Sequence, residues 1–229
     1  MNDWDCSQKR VIAAPAAARI IVDAGPGTGK TAVACARLAH LISECGVEPS
    51  KAWMISFTRT AVAEIRARLH GYLGDDATAV RIATVDSHAW TIHSGFDENA
   101  TLTGSYEANI EKVLDLVCSQ EEVTEYLESV EHLILDEAQD FIGIRADLVE
   151  ALLLRLSKNC GVTVFADEAQ SIYGFSEEDT STVDFSTDLL KRLWENPSLA
   201  FKGELLDTVH RTESQGLLEI FSDVRKTIL

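Results

Sequence analysis

Positive charge is scarce in this chain. Its 229 residues include 20 lysines and arginines against 37 aspartates and glutamates, which gives a formal net charge of −17. This balance argues against a protein that binds nucleic acid through its overall charge. The acids are concentrated, because residues 97–150 hold fifteen acids and two bases, whereas residues 51–93 hold four acids and five bases. Any surface for nucleic acid is therefore expected outside the acidic middle of the chain.

Signals for membrane insertion, export and disulfide bonding are also missing. No apolar run approaches the length of a membrane span, and the Asn-Asp-Trp-Asp that follows Met1 does not resemble a signal peptide. We therefore expect a cytoplasmic protein with no membrane partner. The five cysteines are scattered without a Cys-x-x-Cys pair, which indicates reduced thiols rather than disulfides or a metal site.

Short apolar runs alternate with longer helix-forming segments along the chain. The hydrophobic content of 46% is enough for a sizeable core. Strands that alternate with helices predict an α/β fold, with a parallel sheet and helices on both of its faces. Residues 105–130 mix apolar and acidic positions, so we expect one or two acidic helices with a solvated face. The predicted strands are 19–23, 52–57, 80–84, 133–135, 161–167 and 203–206, and the predicted helices are 31–44, 59–69, 145–158, 186–194 and 214–227.

A glycine-rich loop occupies residues 24–31, which read Ala-Gly-Pro-Gly-Thr-Gly-Lys-Thr. It follows a predicted strand and precedes a predicted helix. This is the arrangement of a phosphate-binding loop, whose backbone N–H groups surround an anion at a helix N-terminus. Lys30 would reach the outer phosphates of a nucleotide, and the Thr31 hydroxyl would bind Mg²⁺. The loop residues expected to bind the nucleotide are Gly25, Pro26, Gly27, Thr28, Gly29, Lys30 and Thr31.

A second segment, about a hundred residues later, ends a predicted strand in acids. It reads Asp-Glu-Ala-Gln-Asp over residues 136–140. Asp136 would hold the metal ion, and Glu137 would polarise the attacking water. A glycine turn or a buried strand alone is common in proteins without this chemistry. The two together, with Gln139 directly after, favour an NTPase of the helicase kind that uses ATP and Mg²⁺.

Several segments resemble motifs of the UvrD/Rep-like superfamily 1 DNA helicases. The resemblance is to their first RecA-like domain, a P-loop NTPase, and runs from about Gln8 to Arg211. It implies that Gln8 reads the adenine. It also implies that Gln170 senses the γ-phosphate and that Arg211 contacts it, both as part of the catalytic set with Lys30 and Glu137. The matching segments are residues 8–12, 56–65, 84–87, 136–140, 167–173 and 210–212.

The same resemblance implies a contact surface for single-stranded DNA. Asp86 stands where the family often has histidine, and an acid that faces phosphate repels it, so we expect this contact to be weakened. The DNA-binding residues that the resemblance implies are Phe57, Thr58, Arg59, Thr84 and Tyr173.

The expected domain division separates a RecA-like ATP-binding domain, residues 1–93 and 131–229, from a short helical insertion at residues 94–130. The resemblance includes no second RecA-like domain and no arginine that such a domain supplies. That domain is therefore expected from the same gene or from a partner protein. We expect weak ATP hydrolysis, weak binding of single-stranded DNA, and no helicase activity from this chain alone.

One alternative function, from a different class, is compatible with parts of the sequence, and a second lacks support. A stand-alone, nucleotide-gated interaction module without DNA translocation is favoured by the acidic middle and by Asp86. The set of Lys30, Asp136, Glu137 and Gln170 instead favours a motor domain. A P-loop kinase would leave the Gln-Ser-Ile-Tyr of residues 170–173 unexplained.

Overall fold

A six-stranded parallel sheet is the centre of the computed structural model, which describes residues 4–101, 104–169 and 189–210. Eight α-helices accompany the sheet within these ranges. The strands are β1 (Arg19–Ala24), β2 (Ala52–Ser56), β3 (Arg81–Thr84), β4 (His132–Leu135), β5 (Gly161–Ala166) and β6 (Lys202–Leu206). The helices are α1 (Cys6–Ile12), α2 (Lys30–Ser43), α3 (Arg59–Leu73), α4 (Val85–Phe96), α5 (Tyr106–Ser119), α6 (Glu121–Glu128), α7 (Ile144–Arg155) and α8 (Leu189–Glu195).

The strands lie in the order β3-β2-β4-β5-β1-β6, and every neighbouring pair is parallel. Continuous apolar runs explain this arrangement, because β2, β4 and β5 are buried along their whole lengths. The α/β class predicted from the sequence is confirmed. Since all strands are parallel, their carboxyl ends meet at one edge of the sheet, where ligands bind in open α/β folds.

Several local features differ from the predicted ones, and α7 ends at Arg155 rather than at residue 158. Helix α3 continues to Leu73 instead of ending near residue 69. Helix α4 was not predicted at all, because histidine, serine, threonine and glycine, which are poor helix formers, are frequent over residues 85–96. Packing stabilises α4, whose His88 and His93 are each 1% exposed. The predicted helix 214–227 lies outside the described residues. No helix within them is both long enough and apolar enough to cross a membrane.

The acidic helices α5 and α6, which lie within the segment predicted to be an insertion, pack into the main core. Helices α5 and α6 direct their apolar residues into the buried cluster that also contains α7 and one face of the sheet. Their acidic residues are largely exposed, as expected for a solvated face. The buried contributors are Ile110, Val113, Val117, Val123 and Leu127.

A buried arginine joins α2 to the amino-terminal segment and to β5. Arg37 is 0% exposed, and its guanidinium donates to the carbonyl oxygens of Val11 at 2.8 Å and Ala14 at 2.9 Å, and more weakly to Pro15. Its Nε donates to the Thr163 hydroxyl at 2.7 Å. Burial is the main influence on this side chain and lowers the pKa of Arg37 to about 10. Backbone carbonyls therefore stabilise a cation that no carboxylate contacts in the described part of the chain.

The hydrogen-bond network continues from Thr163 to His132. The His132 Nδ1 lies 2.8 Å from the Ala16 carbonyl oxygen, and its Nε2 lies 3.1 Å from the Thr163 hydroxyl. A carbonyl only accepts, so Nδ1 carries the proton of the neutral ring and Nε2 accepts from Thr163. Gly161 makes this approach possible, because a Cβ there would lie 1.8 Å from the Ala16 oxygen and 2.4 Å from His132 Nδ1.

We expect Arg37→Met to lower the free energy of unfolding by about 3–5 kcal/mol, because it leaves several buried carbonyls without a donor. Chemical denaturation of the two proteins measures the difference. Arg68→Met is the matched control, since Arg68 is exposed and pairs only with Glu64 on the same helix. Equal stabilities of the two variants would contradict the role assigned to Arg37.

The His132 network also predicts a pH dependence. Burial first, and then the charge of Arg37, lowers the pKa of His132 to about 3 from 6.5. The unfolded chain therefore binds a proton below pH 6.5 that the folded chain does not. The neutral His132 therefore contributes to the free energy of unfolding in full above pH 6.5. This contribution decreases as the pH falls towards 3, and the decrease is about 2 kcal/mol at pH 5. Denaturation between pH 7 and pH 5 should show a shallower loss for His132→Asn than for the wild type. Parallel curves would rule this out.

Candidate functional site

The predicted nucleotide-binding segments meet at the carboxyl edge of the sheet. The glycine-rich loop follows β1, Asp136 follows β4, and Asp167 follows β5, which lies between those two strands. Asp136 and Asp167 are 1% and 0% exposed. The fold therefore brings together, side by side, segments that are about a hundred residues apart in the sequence.

The loop has the backbone that its glycines favour. Gly27 and Gly29 have φ angles of +81° and +84°, in the left-handed region that side chains disfavour. Gly29 is the N-cap of α2, which begins at Lys30, and the Thr28 hydroxyl donates to the Gly25 carbonyl oxygen at 2.8 Å. The loop thus leads directly into the N-terminus of a 14-residue helix, where backbone N–H groups and the helix dipole favour an anion.

Gln8 lies against this loop. It is 3% exposed, and its Nε2 donates to the Thr28 carbonyl oxygen at 3.0 Å. Its Oε1 accepts from the Asp5 N–H in a capping box at the start of α1. Each amide atom still has one more hydrogen-bonding position, the second N–H of Nε2 and a lone pair of Oε1. Adenine reading by Gln8 stays a prediction that this placement supports.

The chain after β6 returns to the same loop. The His210 N–H donates to the Gly27 carbonyl oxygen at 2.8 Å, and the His210 Nε2 lies 2.8 Å from an Asp5 carboxylate oxygen. Burial raises the pKa of Asp5, but hydrogen bonds from Ser7, Gln8 and His210 outweigh that effect and bring it to about 2. Arg211, the predicted γ-phosphate contact, follows His210 but lies outside the described residues.

Lys30 bridges the two predicted motifs. It is 8% exposed, and its Nζ lies 3.2 Å from a Glu137 carboxylate oxygen and 3.2 Å from the Ala24 carbonyl oxygen. The predicted phosphate-binding cation and the predicted water-activating carboxylate are therefore in contact. Phosphate groups bound at the loop would compete with Glu137 for the Lys30 ammonium.

The two residues predicted to hold Mg²⁺ are also neighbours. The Thr31 hydroxyl lies 3.5 Å from one Asp136 carboxylate oxygen, and the other oxygen is buried without a hydrogen-bond partner among the described residues. Burial first, and then the charge of Glu137, raises the pKa of Asp136 to about 7. A buried, unsatisfied carboxylate beside a hydroxyl fits a small divalent cation that also binds phosphates and water. No three His, Cys, Asp or Glu side chains of the described chain form a metal site on their own.

Gln139 links the Glu137 carboxylate to the end of β5. Its Nε2 donates to Glu137 at 2.7 Å, and its Oε1 accepts from the Asp167 N–H at 3.1 Å. Glu137 itself has φ of 54° and ψ of 52°, an unfavourable left-handed conformation for a residue with a side chain. The sequence indicated Gln139 as part of the motif but not its role. The signal was a polar residue two positions beyond Glu137, the residue predicted to activate water.

The residues predicted to bind DNA surround the ends of β2 and β3. Phe57 and Arg59 are exposed. The hydroxyls of Thr58 and Thr84 cap the N-termini of α3 and α4. Thr84 is 7% exposed, so a contact between this residue and DNA would involve its backbone rather than its side chain. Gln170 and Tyr173 lie outside the described residues.

Asp86 is not an isolated acid at this surface. Arg145, from the start of α7, donates to its carboxylate at 3.1 Å. This ion pair offsets the repulsion of phosphate that we expected from Asp86. Local sequence patterns do not reveal this pairing, because the two residues are 59 positions apart and lie in different elements.

Comparisons with known proteins agree with this arrangement. The family model for the UvrD/REP helicase N-terminal domain matches residues 4–111 and 105–188. The putative ATP-dependent DNA helicase YjcD of Bacillus subtilis (strain 168) is 33% identical over 103 residues, covering 45% of this chain and 13% of that protein. The ATP-dependent DNA helicase UvrD1 of Mycobacterium tuberculosis (strain ATCC 25618 / H37Rv) is 38% identical over 68 residues, covering 30% of this chain and 9% of that protein.

Solved structures share the fold at low sequence identity. The Pif1 helicase from Candida albicans superposes with a TM-score of 0.57 and 11% identity, covering 98% of this chain and 44% of that one. A Bacteroides Pif1 in complex with ADP-AlF3 and single-stranded DNA gives a TM-score of 0.51 and 16% identity, covering 100% and 47%. The chain thus spans less than half of these solved chains and a smaller share of the curated relatives.

We expect Gln139→Leu to speed amide hydrogen exchange at Asp167, because this buried N–H would lose its acceptor. Exchange followed by NMR or mass spectrometry measures the effect. The Val164 amide, within β5, should keep its protection. Gln120→Leu, a change at the start of α6 where no side-chain cap bond exists, is the matched control. Unchanged exchange at Asp167 would show that the Gln139 bridge does not hold this strand end.

Proposed function

The chain belongs to the UvrD/REP helicase N-terminal domain family, and on that premise we propose that it binds Mg-ATP and hydrolyses it slowly as the first motor domain of a DNA helicase or translocase. The observation that carries the proposal is the contact between the two motifs, with Lys30 3.2 Å from Glu137 and Thr31 3.5 Å from Asp136. Curated relatives are named ATP-dependent DNA helicases, and a Bacteroides Pif1 of similar fold is described in complex with ADP-AlF3.

Each side chain has a role in the proposed reaction. Lys30 leaves Glu137 and neutralises the outer phosphates. Thr31 and Asp136 hold Mg²⁺, which supplies charge neutralisation at the phosphates when it is bound. Glu137, released from Lys30, orients water and accepts its proton, while Gln139 keeps the carboxylate at the strand end. Gln8 reads the adenine.

Turnover is expected to be slow in these 229 residues. An arginine supplied by a partner contributes roughly 10³–10⁵-fold in phosphoryl transfer. We assign that arginine to a second RecA-like domain, in the same gene product or in a partner protein. Gln170 and Arg211 complete the γ-phosphate contacts from this side. In this assignment residues 1–93 and 131–229 are the ATP-binding domain, and residues 94–130 are its reduced insertion.

Single-stranded DNA is the proposed partner at the ends of β2 and β3. Phe57 offers an exposed ring, and Arg59 is an exposed cation at the N-terminus of α3. Tyr173 would add a stacking ring. Because few phosphates are neutralised, we propose weak binding, and no strand separation by this chain alone.

An alternative function is a nucleotide-gated interaction module that does not move on DNA. The observations that favour it are Asp86, which stands where the family often has a histidine, and the acidic middle of the chain, with fifteen acids and two bases over residues 97–150. The two functions differ in one measurement. Single-stranded DNA should accelerate ATP hydrolysis by a motor domain and leave that of an interaction module unchanged.

The proposed roles of Lys30 and Glu137 predict different variant behaviour. Glu137→Gln should keep nucleotide affinity within a few-fold while it lowers hydrolysis by about 10²-fold or more, because it removes the base without removing a phosphate contact. Lys30→Ala should weaken Mg-ATP binding roughly 10- to 150-fold, since a charged hydrogen bond to phosphate is lost. Calorimetry and turnover assays on the same preparations test both. Equal nucleotide affinity for Lys30→Ala and wild type would contradict the assignment of the nucleotide site.

A further inference from the structure

A cavity of about 540 Å³ opens beside the carboxyl ends of β2 and β3, lined by residues of α4 and α5 and by the start of α7. Its size falls within the roughly 300–1,000 Å³ that is usual for small-ligand pockets. Its lining includes three aromatic residues and two arginines, which are Phe57, Trp90, Tyr106, Arg59 and Arg145. The nucleotide-binding loop does not line it.

Exposed aromatic rings converge on this cavity. Phe57 is 42% exposed, Trp90 36% and Tyr106 67%, although large apolar side chains are ordinarily buried. The three rings come from the end of β2, from α4 and from α5. The His93 ring meets the Trp90 ring edge-on, with centroids 5.8 Å apart and an interplanar angle of 89°, which restrains the indole at the cavity wall. The cavity therefore presents flat apolar faces, of which the Trp90 indole has a ring contact that restrains it.

The charge of the lining is unusual for this protein. Arg59 and Arg145 are its cations, and Asp86 is its anion, so the lining is net positive in a chain of net charge −17. Arg145 is held by Asp86, which leaves Arg59 as an exposed cation with no ion pair among the described residues. Two other cavities of the described chain are lined by acids without a lysine or arginine.

The acidic residues of α5 do not enter the lining, although α5 belongs to the acidic insertion. Tyr106 and Asn109 line the cavity, whereas Glu107 and Glu111 lie outside it. A ligand in the cavity therefore contacts aromatic and amide groups of the insertion, while the Glu107 carboxylate lies outside the lining but within electrostatic range of Arg145. Helix α5 therefore forms one wall of the cavity, in addition to exposing acidic residues to solvent.

We propose that this cavity holds one unstacked base of single-stranded DNA, with Trp90 and Tyr106 as stacking surfaces and Arg59 at the adjacent phosphate. Flat rings combined with local positive charge are what proteins use to bind single strands without sequence preference. The inference rests on the proposed function for its ligand. It goes beyond that function because the motif resemblance, which includes Phe57 and Arg59, gives no role to Trp90, to Tyr106 or to the insertion.

The test measures binding of a labelled oligothymidylate by fluorescence anisotropy at fixed salt, using the full chain. Trp90→Ala and Tyr106→Ala should each weaken binding roughly 5- to 150-fold, while Trp90→Phe should restore most of the affinity because it keeps a stacking ring. Tyr72→Ala is the matched control, since Tyr72 is an exposed aromatic residue outside the cavity lining. An oligonucleotide with abasic sites should bind the wild type and Trp90→Ala equally weakly.

Circular dichroism melts establish that each variant is folded, and titration with Mg-ADP tests the nucleotide site on the same samples. The inference is overturned if Trp90→Ala and Tyr106→Ala bind the oligonucleotide like the wild type. It is also overturned if the loss is the same for the abasic oligonucleotide, or if the wild type binds Mg-ADP but no single strand. Loss of Mg-ADP binding in the wild type would instead refute the proposed function, and a Trp90-dependent affinity for the single strand would still support the base-binding cavity.

Discussion

A buried arginine, which contacts no carboxylate among the described residues, joins the elements that build the candidate nucleotide site. Arg37 lies about two turns after Lys30 on α2, and its guanidinium binds carbonyls of the amino-terminal segment and the Thr163 hydroxyl of β5. The segment that it holds carries Gln8, and β5 ends at Asp167. Removal of the charge would leave these carbonyls buried and unsatisfied, which costs free energy. Backbone carbonyls and one hydroxyl therefore stabilise the arginine inside the fold. Gly161 contributes to the same hydrogen-bond network, because the absence of a Cβ there lets His132 reach the Ala16 carbonyl oxygen.

The sequence predicts the framework well because its signals are local. Continuous apolar runs such as residues 52–56 are typical of strands buried on both faces, and the glycines of residues 25–29 match the left-handed backbone found at Gly27 and Gly29. Helix α4 escapes prediction because tertiary burial of His88 and His93 outweighs poor helix propensity. Local patterns contain no information on which distant elements supply the compensating contacts.

The candidate site shows the same limit at the level of single side chains. Lys30 and Glu137 are recognisable from motifs, and their contact follows from strand order. The Gln139 bridge, the Asp86–Arg145 pair and the aromatic wall from α5 depend on packing between elements that are far apart in the sequence. The number of acidic residues over 105–130 led us to predict acidic helices with a solvated face. Because a helix has two faces, its apolar and aromatic side makes contacts that an overall charge does not report.

The stretch that follows β4 belongs to both sites. Asp136 and Glu137 stand at its start, whereas Phe141 packs 6.2 Å from the Phe57 ring and Arg145 holds Asp86 at the cavity. One short covalent segment therefore contacts both the candidate phosphate-binding region and the aromatic cavity. Thermodynamic reciprocity then applies: if a nucleotide changes the affinity for a single strand by way of this segment, the strand must change the affinity for the nucleotide by the same factor. Either ligand could therefore act as the effector of the other, because the coupling between the two sites has no direction.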